Sequence, residues 1–334
     1  MLTMQVHSYA AMEKGGKLQS FEYELGELGE YDVRIKISHC GLCHSDLHLI
    51  DDDWQISEYP LVPGHEIVGE VEKLGNKVSS FKKGDRVGVG WQCGSCLVCD
   101  QCKAGYENLC SEKKKTCVGR YGGFADHIDI DGRFVYQIPE SLSSAGTAPL
   151  MCAGVAVYQP MKHFGVKSGM KVGVIGLGGL GHMAVKFAKA FGCKVTVFST
   201  SSDKRGEARK LGADRFVTDP NDERLNGTLD FIIDTSPASI DWDRYMEILA
   251  PLGKLCVVGL PEEKIEVSAT SLIGGQKLIC GGSIGDRNSM KAMLKFAAEK
   301  GIEAQVEVMP MSKVNEAIDT LRKGKVRYRV VLEN

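Results

Sequence analysis

Four cysteines stand close together at Cys96, Cys99, Cys102 and Cys110. Thiolates at such short spacing form tetrahedral zinc sites, and four of them saturate the metal, so that no position remains for a substrate. Without a metal, such a cluster would oxidise readily. Cys93 extends the series by one further step, so a competing set of four begins at Cys93 and ends at Cys102. Either set predicts a structural zinc ion.

A glycine-rich segment follows an apolar stretch at 171–175 and precedes a pattern of apolar residues at helical spacing. In this context a G-x-G-x-x-G sequence binds the pyrophosphate of a dinucleotide. The first glycine permits a tight turn, the second lets the backbone approach the phosphates, and the third allows close packing of helix on strand. An ordinary glycine-rich turn is the less favoured interpretation. The predicted cofactor-binding residues here are Gly176, Gly178, Gly179, Leu180 and Gly181.

The end of the next predicted strand indicates which dinucleotide binds. An NAD enzyme places a carboxylate about 20 residues after the glycines, where it holds the ribose 2′-hydroxyl. Here the strand ends in Ser199, Thr200 and Ser201, with Lys204 and Arg205 close behind. Hydroxyls and cations suit a 2′-phosphate, so the sequence favours NADP(H), with NAD(H) as the alternative. On the alternative view, Lys204 and Arg205 only begin a solvated helix.

The elements around these residues are of two kinds. The first 150 residues are β-rich, with predicted strands at 33–37 and 67–71. From residue 171, strands alternate with helices of about ten residues, which predicts a parallel sheet. The predicted strands are 171–175, 194–198, 215–217, 229–234, 254–258 and 278–281, and the helices are 182–192, 203–211 and 241–249. Helices at 290–300 and 314–323 and a strand at 328–332 complete the chain.

Composition sets further bounds. A chain of 334 residues with 43% hydrophobic and 25% charged residues is typical of a two-domain globular protein. The net charge of −2 predicts no nucleic-acid or membrane partner. We find no secretory signal pattern and no apolar run of membrane-spanning length, so we expect a cytoplasmic protein. The basic run Lys113–Lys115 is expected to be a solvated loop.

Five stretches occur in one order along the chain: CGLCHSDLH (40–48), PGHE (63–66), the four-cysteine segment, PLMCAG (149–154) and GLGGLGH (176–182). In these the chain resembles the zinc-containing medium-chain alcohol dehydrogenase family, in its cinnamyl-alcohol dehydrogenase-like and yeast-type branches. The resemblance covers nearly the whole sequence. It implies an α/β fold with a GroES-like, β-rich catalytic domain (1–153 and 285–334) and a Rossmann domain with a doubly wound parallel sheet (154–284). It also implies a homodimer or homotetramer, commonly paired through the Rossmann sheet edge.

The resemblance implies a second, catalytic zinc ion. Cys43, His65 and Cys152 match its ligands, a Cys2His set of the kind that alcohol dehydrogenases use. Spacing alone would not connect these three residues. The four-cysteine lobe of the family ends at the position of Cys110, which makes Cys93 the spare cysteine.

Other positions match residues around the metal and the cofactor. Asp46 matches an acid that orients the histidine ligand, and Glu66 matches a carboxylate that can approach the metal. Ser45 and His48 match a proton relay through the cofactor ribose. His44 and Arg327 match cofactor-binding positions, Arg327 near the pyrophosphate, while Trp54 and Trp91 match aromatic positions that line the substrate pocket.

The implied activity is a zinc-dependent alcohol dehydrogenase or aldehyde reductase. Hydride would pass reversibly between NADP(H) and a primary alcohol or aldehyde, with aromatic and medium-chain compounds as candidates. One alternative is an NAD-dependent alcohol, polyol or formaldehyde dehydrogenase of the same family. Another is an inactive cofactor-binding structural protein. Only six residues separate Cys117 from Phe124, whereas cinnamyl-alcohol dehydrogenase-like relatives have a longer loop there.

Overall fold

The chain divides into two compact units. The computed structural model describes residues 3–261 and 263–334. Unit 1 comprises Met1–Cys152 and Asp286–Asn334, and unit 2 comprises Ala153–Gly285. Within the described ranges, no helix is both long and apolar enough to cross a bilayer.

The strands and helices are numbered in chain order. The strands are β1 (Met4–Ala11), β2 (Leu18–Leu25), β3 (Asp32–Leu42), β4 (Glu66–Leu74), β5 (Arg86–Val89), β6 (Gln92–Gly94), β7 (Lys114–Lys115), β8 (His127–Asp131), β9 (Tyr136–Gln137), β10 (Lys171–Ile175), β11 (Lys194–Phe198), β12 (Arg215–Val217), β13 (Leu229–Asp234), β14 (Leu249–Val257), β15 (Leu278–Gly281), β16 (Val306–Pro310) and β17 (Arg329–Glu333). The helices are α1 (His44–Ile50), α2 (Asp100–Lys103), α3 (Ser144–Thr147), α4 (Ala153–His163), α5 (Gly181–Ala190), α6 (Arg205–Leu211), α7 (Trp242–Ile248), α8 (Ala269–Ile273), α9 (Arg287–Lys300) and α10 (Val314–Arg322).

Unit 1 is built on a seven-stranded sheet in which β3 and β4 are central. Its order is β16-β17-β3-β4-β5-β9, and β8 also pairs with β3. Val33, Ile35 and Ile37 of β3 are fully buried in the core of this unit. β3 and β4 are antiparallel, with Gly41 opposite Glu66. The residues that follow β3 and precede β4 therefore leave the sheet at the same end.

Unit 2 contains a six-stranded sheet in which every neighbouring pair is parallel. Its order is β12-β11-β10-β13-β14-β15, which is the 3-2-1-4-5-6 order of the doubly wound dinucleotide-binding fold. Val172, Val174 and Phe231 in the central strands are completely buried, as expected for a sheet covered on both faces. The predicted α/β fold class is confirmed.

The structure differs from the predictions mainly where a proline or a turn residue interrupts the pattern. Helix α4 was not predicted, because Pro160 lies inside it. Strand β14 begins at Leu249 rather than at 254: Leu249 already pairs with Leu229 of β13, and an irregularity in which Leu252 has φ +64° separates this pair from the regular pairing that starts at Lys254. The predicted helix 203–211 opens with a 3₁₀ turn, and α6 itself starts at Arg205.

Candidate metal and cofactor sites

The first cluster of chemically active side chains lies at one end of β3 and β4. Cys43 follows β3 and is the residue before the first turn of α1, while His65 directly precedes β4. Cys152 ends the short 3₁₀ turn before α4. The register of the two strands thus brings together residues that are far apart in the sequence.

One ligand atom from each of Cys43, His65, Glu66 and Cys152 can lie within 4.8 Å of the others. His65 and Glu66 are fully buried. Among the described residues, His65 Nε2 and Glu66 Oε2 have no hydrogen-bond partner. Buried polar atoms are nearly always satisfied, and a metal ion bound by these atoms and the two sulfurs would satisfy them. The residues present therefore fit a zinc ion.

Asp46 fixes the orientation of the histidine. Its Oδ1 lies 3.0 Å from His65 Nδ1 and accepts a hydrogen bond from the Gly64 amide at 2.9 Å. Its Oδ2 accepts from the Cys43 amide at 2.9 Å. With Nδ1–H directed at the carboxylate, Nε2 keeps its lone pair for a metal.

Arg329 of β17 forms a buried ion pair with Glu66. We did not predict this partner, although a charged residue inside the apolar strand that ends the chain was a visible signal. Burial raises the pKa of Glu66 to about 7, although Arg329 lowers it.

A hydrogen bond with Cys152 holds the pKa of Cys43 well below its usual range. The same hydrogen bond raises the pKa of Cys152 well above its usual range, so this pair of sulfurs favours one thiolate, at Cys43.

Cys117 also lies beside this cluster, with its sulfur within 4.8 Å of ligand atoms of Asp46 and His65. It is fully buried, and burial raises its pKa. Its thiol therefore keeps its proton, unlike that of Cys43.

Ser45 and His48 both lie on α1, but in different surroundings. The Ser45 hydroxyl is 3.7 Å from the Cys43 sulfur. The His48 side chain is 37% exposed, and its Nδ1 lies 2.7 Å from Asp53 Oδ2. The structure thus places Ser45 next to a metal-ligand candidate and His48 in contact with solvent. Asp53 is a partner that sequence reasoning missed.

The two predicted pocket tryptophans lie together. His48 stacks on Trp54 with ring centroids 5.1 Å apart. Trp54 meets Trp91 edge-to-face at 5.9 Å, and Trp91 meets His65 edge-to-face at 4.7 Å. An aromatic wall therefore connects the exposed histidine with the buried one.

The second cysteine cluster contains Cys96, Cys99, Cys102 and Cys110, whose sulfurs all lie within 4.8 Å of one another. Cys93 is outside this group: its sulfur contacts the Lys114 carbonyl oxygen at 3.6 Å and the Arg120 guanidinium at 3.5 Å. The geometry thus selects the set that ends at Cys110 over the set that begins at Cys93.

In unit 2, the glycine turn links β10 to α5. Gly176 has φ +83°, a conformation that favours glycine, and a Cβ at Gly181 would overlap the Gly176 carbonyl oxygen. The amides of Leu177, Gly178, Gly179 and Leu180 donate no hydrogen bond to any residue that the structure describes. Four unused amides before a helix N-terminus suit the phosphates of a dinucleotide.

The residues predicted to select the cofactor lie beside this turn. The Ser201 amide donates to Ser199 Oγ at 3.3 Å, and Lys204 Nζ donates to the Leu177 carbonyl at 3.0 Å. Thr200 lies between the two serines. His44 and Arg327, the other predicted cofactor residues, belong to unit 1, at the start of α1 and just before β17.

Comparison with known proteins identifies the family. Residues 29–140 match the alcohol dehydrogenase GroES-like domain, and residues 179–299 match the zinc-binding dehydrogenase domain. The chain is 45% identical to probable cinnamyl alcohol dehydrogenase 6 of Arabidopsis thaliana over 99% of this chain and 94% of that protein.

Solved structures agree. A cinnamyl alcohol dehydrogenase of Sorghum bicolor superimposes with a TM-score of 0.94 at 43% identity, covering 99% of this chain and 98% of the other. A CAD of Helicobacter pylori in complex with NADP(H) superimposes with a TM-score of 0.92 at 33% identity, covering 99% of each chain. The predicted family is confirmed: the protein belongs to the zinc-binding alcohol dehydrogenases of the medium-chain family, oxidoreductases that act on CH–OH groups.

Proposed function

We propose that this protein is an NADP(H)-dependent aldehyde reductase and alcohol dehydrogenase whose catalytic zinc is bound by Cys43, His65 and Cys152. The observation that carries the proposal is the buried cluster in which His65 Nε2 has no hydrogen-bond partner among the described residues and two cysteine sulfurs lie nearby. Zinc supplies a Lewis acid that polarises a carbonyl or acidifies a hydroxyl, and the nicotinamide supplies the hydride.

The protein's own residues prepare this centre. Asp46 holds the His65 ring so that Nε2 faces the metal position. Glu66 lies beside the ligands: Arg329 holds its Oε1, whereas its Oε2 has no partner among the described residues and would be available to the metal when water leaves the site. The second zinc would be structural, because Cys96, Cys99, Cys102 and Cys110 leave no open position.

Proton transfer would use the two polar residues of α1. The Ser45 hydroxyl lies next to Cys43 and can accept the proton of an alcohol or return it to a reduced aldehyde. His48 contacts solvent and is oriented by Asp53, so it can exchange that proton with water. The Trp54 and Trp91 rings would form an apolar wall for an aldehyde that carries an aromatic or medium-length chain.

The preference for NADP(H) rests on the end of β11. Ser199, Thr200 and Ser201 offer hydroxyls, and Lys204 offers a cation within reach of the glycine turn. The similar Helicobacter pylori protein was solved with NADP(H), which supports the same choice here. Arg327 and His44 are the other residues that we propose to bind the cofactor.

We further propose a homo-oligomer, a dimer or a tetramer, in the cytoplasm. Leu252, Ile273 and Leu278 are each more than half exposed and lie in or next to the last two strands of the unit 2 sheet, β14 and β15. A second copy would bury such an apolar edge. None of the twelve cysteines is in a disulfide bond, which fits a reducing compartment.

Steady-state rates test the proposal. We would assay reduction of cinnamaldehyde, benzaldehyde and acetaldehyde with NADPH and with NADH, before and after chelation, and oxidation of a polyol and of formaldehyde. We expect chelator-sensitive aldehyde reduction that favours NADPH. Cys43→Ser should abolish turnover, whereas Cys193→Ser, on the other unit, should not. A zinc-loaded protein that turns over none of these compounds would contradict the proposal and favour the inactive structural protein.

A further inference from the structure

Side chains from three different elements lie within hydrogen-bond distance of three consecutive carbonyl oxygens of the glycine turn. Thr235, which follows β13, places its hydroxyl 3.3 Å from the Gly176 oxygen. Lys204 donates to the Leu177 oxygen at 3.0 Å. His182 of α5 places Nδ1 3.2 Å from the Gly178 oxygen.

The Thr235 hydroxyl occupies the space between the two outer glycines. It donates to the Ile175 oxygen at 2.7 Å, and the Thr235 amide donates to that same oxygen at 3.0 Å. A Cβ would lie 3.3 Å from the hydroxyl oxygen at Gly176 and 3.0 Å from it at Gly181. Thr235, at the end of β13, thus packs against both ends of the turn, and its hydroxyl makes the polar contact between β13 and the turn.

His182 contacts the carbonyl in the middle of the turn, that of Gly178. Its side chain is completely buried, and its own amide donates to the Gly178 oxygen at 3.0 Å. The same carbonyl is therefore held by the backbone and by the ring of one residue. A buried imidazole in the first turn of α5 adds no apolar packing that a leucine would lack, so its nitrogen is the feature to explain.

Fixing these carbonyls also fixes amides. Because a peptide group is planar and trans, the N–H of each residue points opposite to the carbonyl before it. Holding the carbonyls of Gly176, Leu177 and Gly178 therefore sets the directions of the N–H groups of Leu177, Gly178 and Gly179. These are amides that have no partner among the described residues.

We propose that Thr235 and His182 are positioning residues that pre-orient the turn amides for the cofactor pyrophosphate. The inference rests on the proposed dinucleotide-dependent function, and it adds two residues that touch the turn rather than the cofactor. Amides that are already oriented bind an anion without the cost of ordering a flexible loop. Lys204 shares this contact, and it can also reach toward a 2′-phosphate.

Ligands that differ in the pyrophosphate group test the proposal. NADPH and ADP-ribose contain a pyrophosphate, whereas adenosine 2′-monophosphate has none. For Thr235→Val, which keeps the shape and removes the hydroxyl, we expect Kd to rise about tenfold for NADPH and for ADP-ribose. We expect Kd for adenosine 2′-monophosphate to change less than twofold. Thr235→Ser keeps the hydroxyl and should bind all three ligands as the parent does.

His182→Leu provides an independent test on a different element, with His182→Asn as its control because the amide of asparagine can still donate to the Gly178 oxygen. Calorimetry gives each Kd, and the melting temperature of the ligand-free protein shows whether a variant is folded. Equal weakening of all three ligands, or no weakening, would overturn the inference while leaving the proposed function intact. If the parent protein bound neither NADPH nor ADP-ribose, the proposed function itself would fail.

Discussion

Asp46 Oδ1 lies 3.0 Å from His65 Nδ1, and both side chains are completely buried. The other carboxylate oxygen of Asp46 accepts from the Cys43 amide. One carboxylate thus orients two of the three proposed zinc ligands. Asp46 is not itself a member of the group formed by the ligand atoms of Cys43, His65, Glu66 and Cys152.

Asp46→Asn should weaken zinc binding at this centre by about 10- to 100-fold, because the amide cannot supply the negative charge that strengthens the histidine ligand. Competition with a chromogenic chelator measures the affinity. Asp53→Asn is the matched control, since Asp53 pairs with the exposed His48, and it should leave zinc affinity unchanged. Equal affinities in the Asp46 variant and the parent would show that the contact does not tune the metal.

The ion pair of Arg329 with Glu66 leads to a stability prediction. Arg329→Met should lower the free energy of unfolding by about 3 kcal/mol, because it leaves a buried carboxylate without its charged partner. Adding Glu66→Gln should recover at least half of this loss, since the uncompensated charge is then gone. Urea unfolding followed by tryptophan fluorescence measures both. If the double variant lost as much stability as Arg329→Met and Glu66→Gln lose separately when summed, the two residues would not be coupled as the structure indicates.

The two cysteine sets that the sequence left open can be separated by metal analysis. Cys110→Ser should lower the zinc content from two ions to one per chain and reduce the melting temperature, because a structural zinc site contributes directly to folding. Cys93→Ser should retain both ions, since Cys93 contacts Lys114 and Arg120 instead of the cluster. The reverse pattern would assign the structural site to the set that begins at Cys93.

Sequence reasoning succeeded where the signal is local. The glycine turn and the cysteine series are each encoded within 20 residues, and strand β10, with its apolar run, was predicted with the bounds Lys171–Ile175. The parallel order of the unit 2 sheet follows from alternating strands and helices. In these cases a short segment contains all the information that its structure requires.

Contacts between distant segments could not be predicted in this way. The pairing of Arg329 with Glu66 depends on β17 lying beside β3, and β3 beside β4, which no spacing reveals. The contact of Thr235 with Gly176 depends on β13 lying next to β10. Cys43, His65 and Cys152 were connected only through family resemblance, because a fold rather than a motif brings them together.

Asp234, at the end of β13, makes stability depend on pH. Its side chain is completely buried, and among the described residues its Oδ2 has no hydrogen-bond partner. Burial raises its pKa from 3.8 to about 6. The folded protein therefore favours the neutral acid, and its stability falls as the pH rises from about 4 to above 6, by up to about 3 kcal/mol.

Asp234→Asn removes this penalty and keeps an oxygen for the Ser236 amide. The variant should therefore melt at a higher temperature than the parent, and by a larger margin at pH 7.5 than at pH 5. Asp214 provides a control of opposite sign: burial would raise its pKa, but hydrogen bonds from Lys189 and the Val195 amide lower it. Asp214→Asn should destabilise the protein at pH 7.5, and the difference should shrink as the pH falls through the lowered pKa. A margin for Asp234→Asn that did not grow with pH would mean that this carboxyl group is not forced to ionise in a buried position.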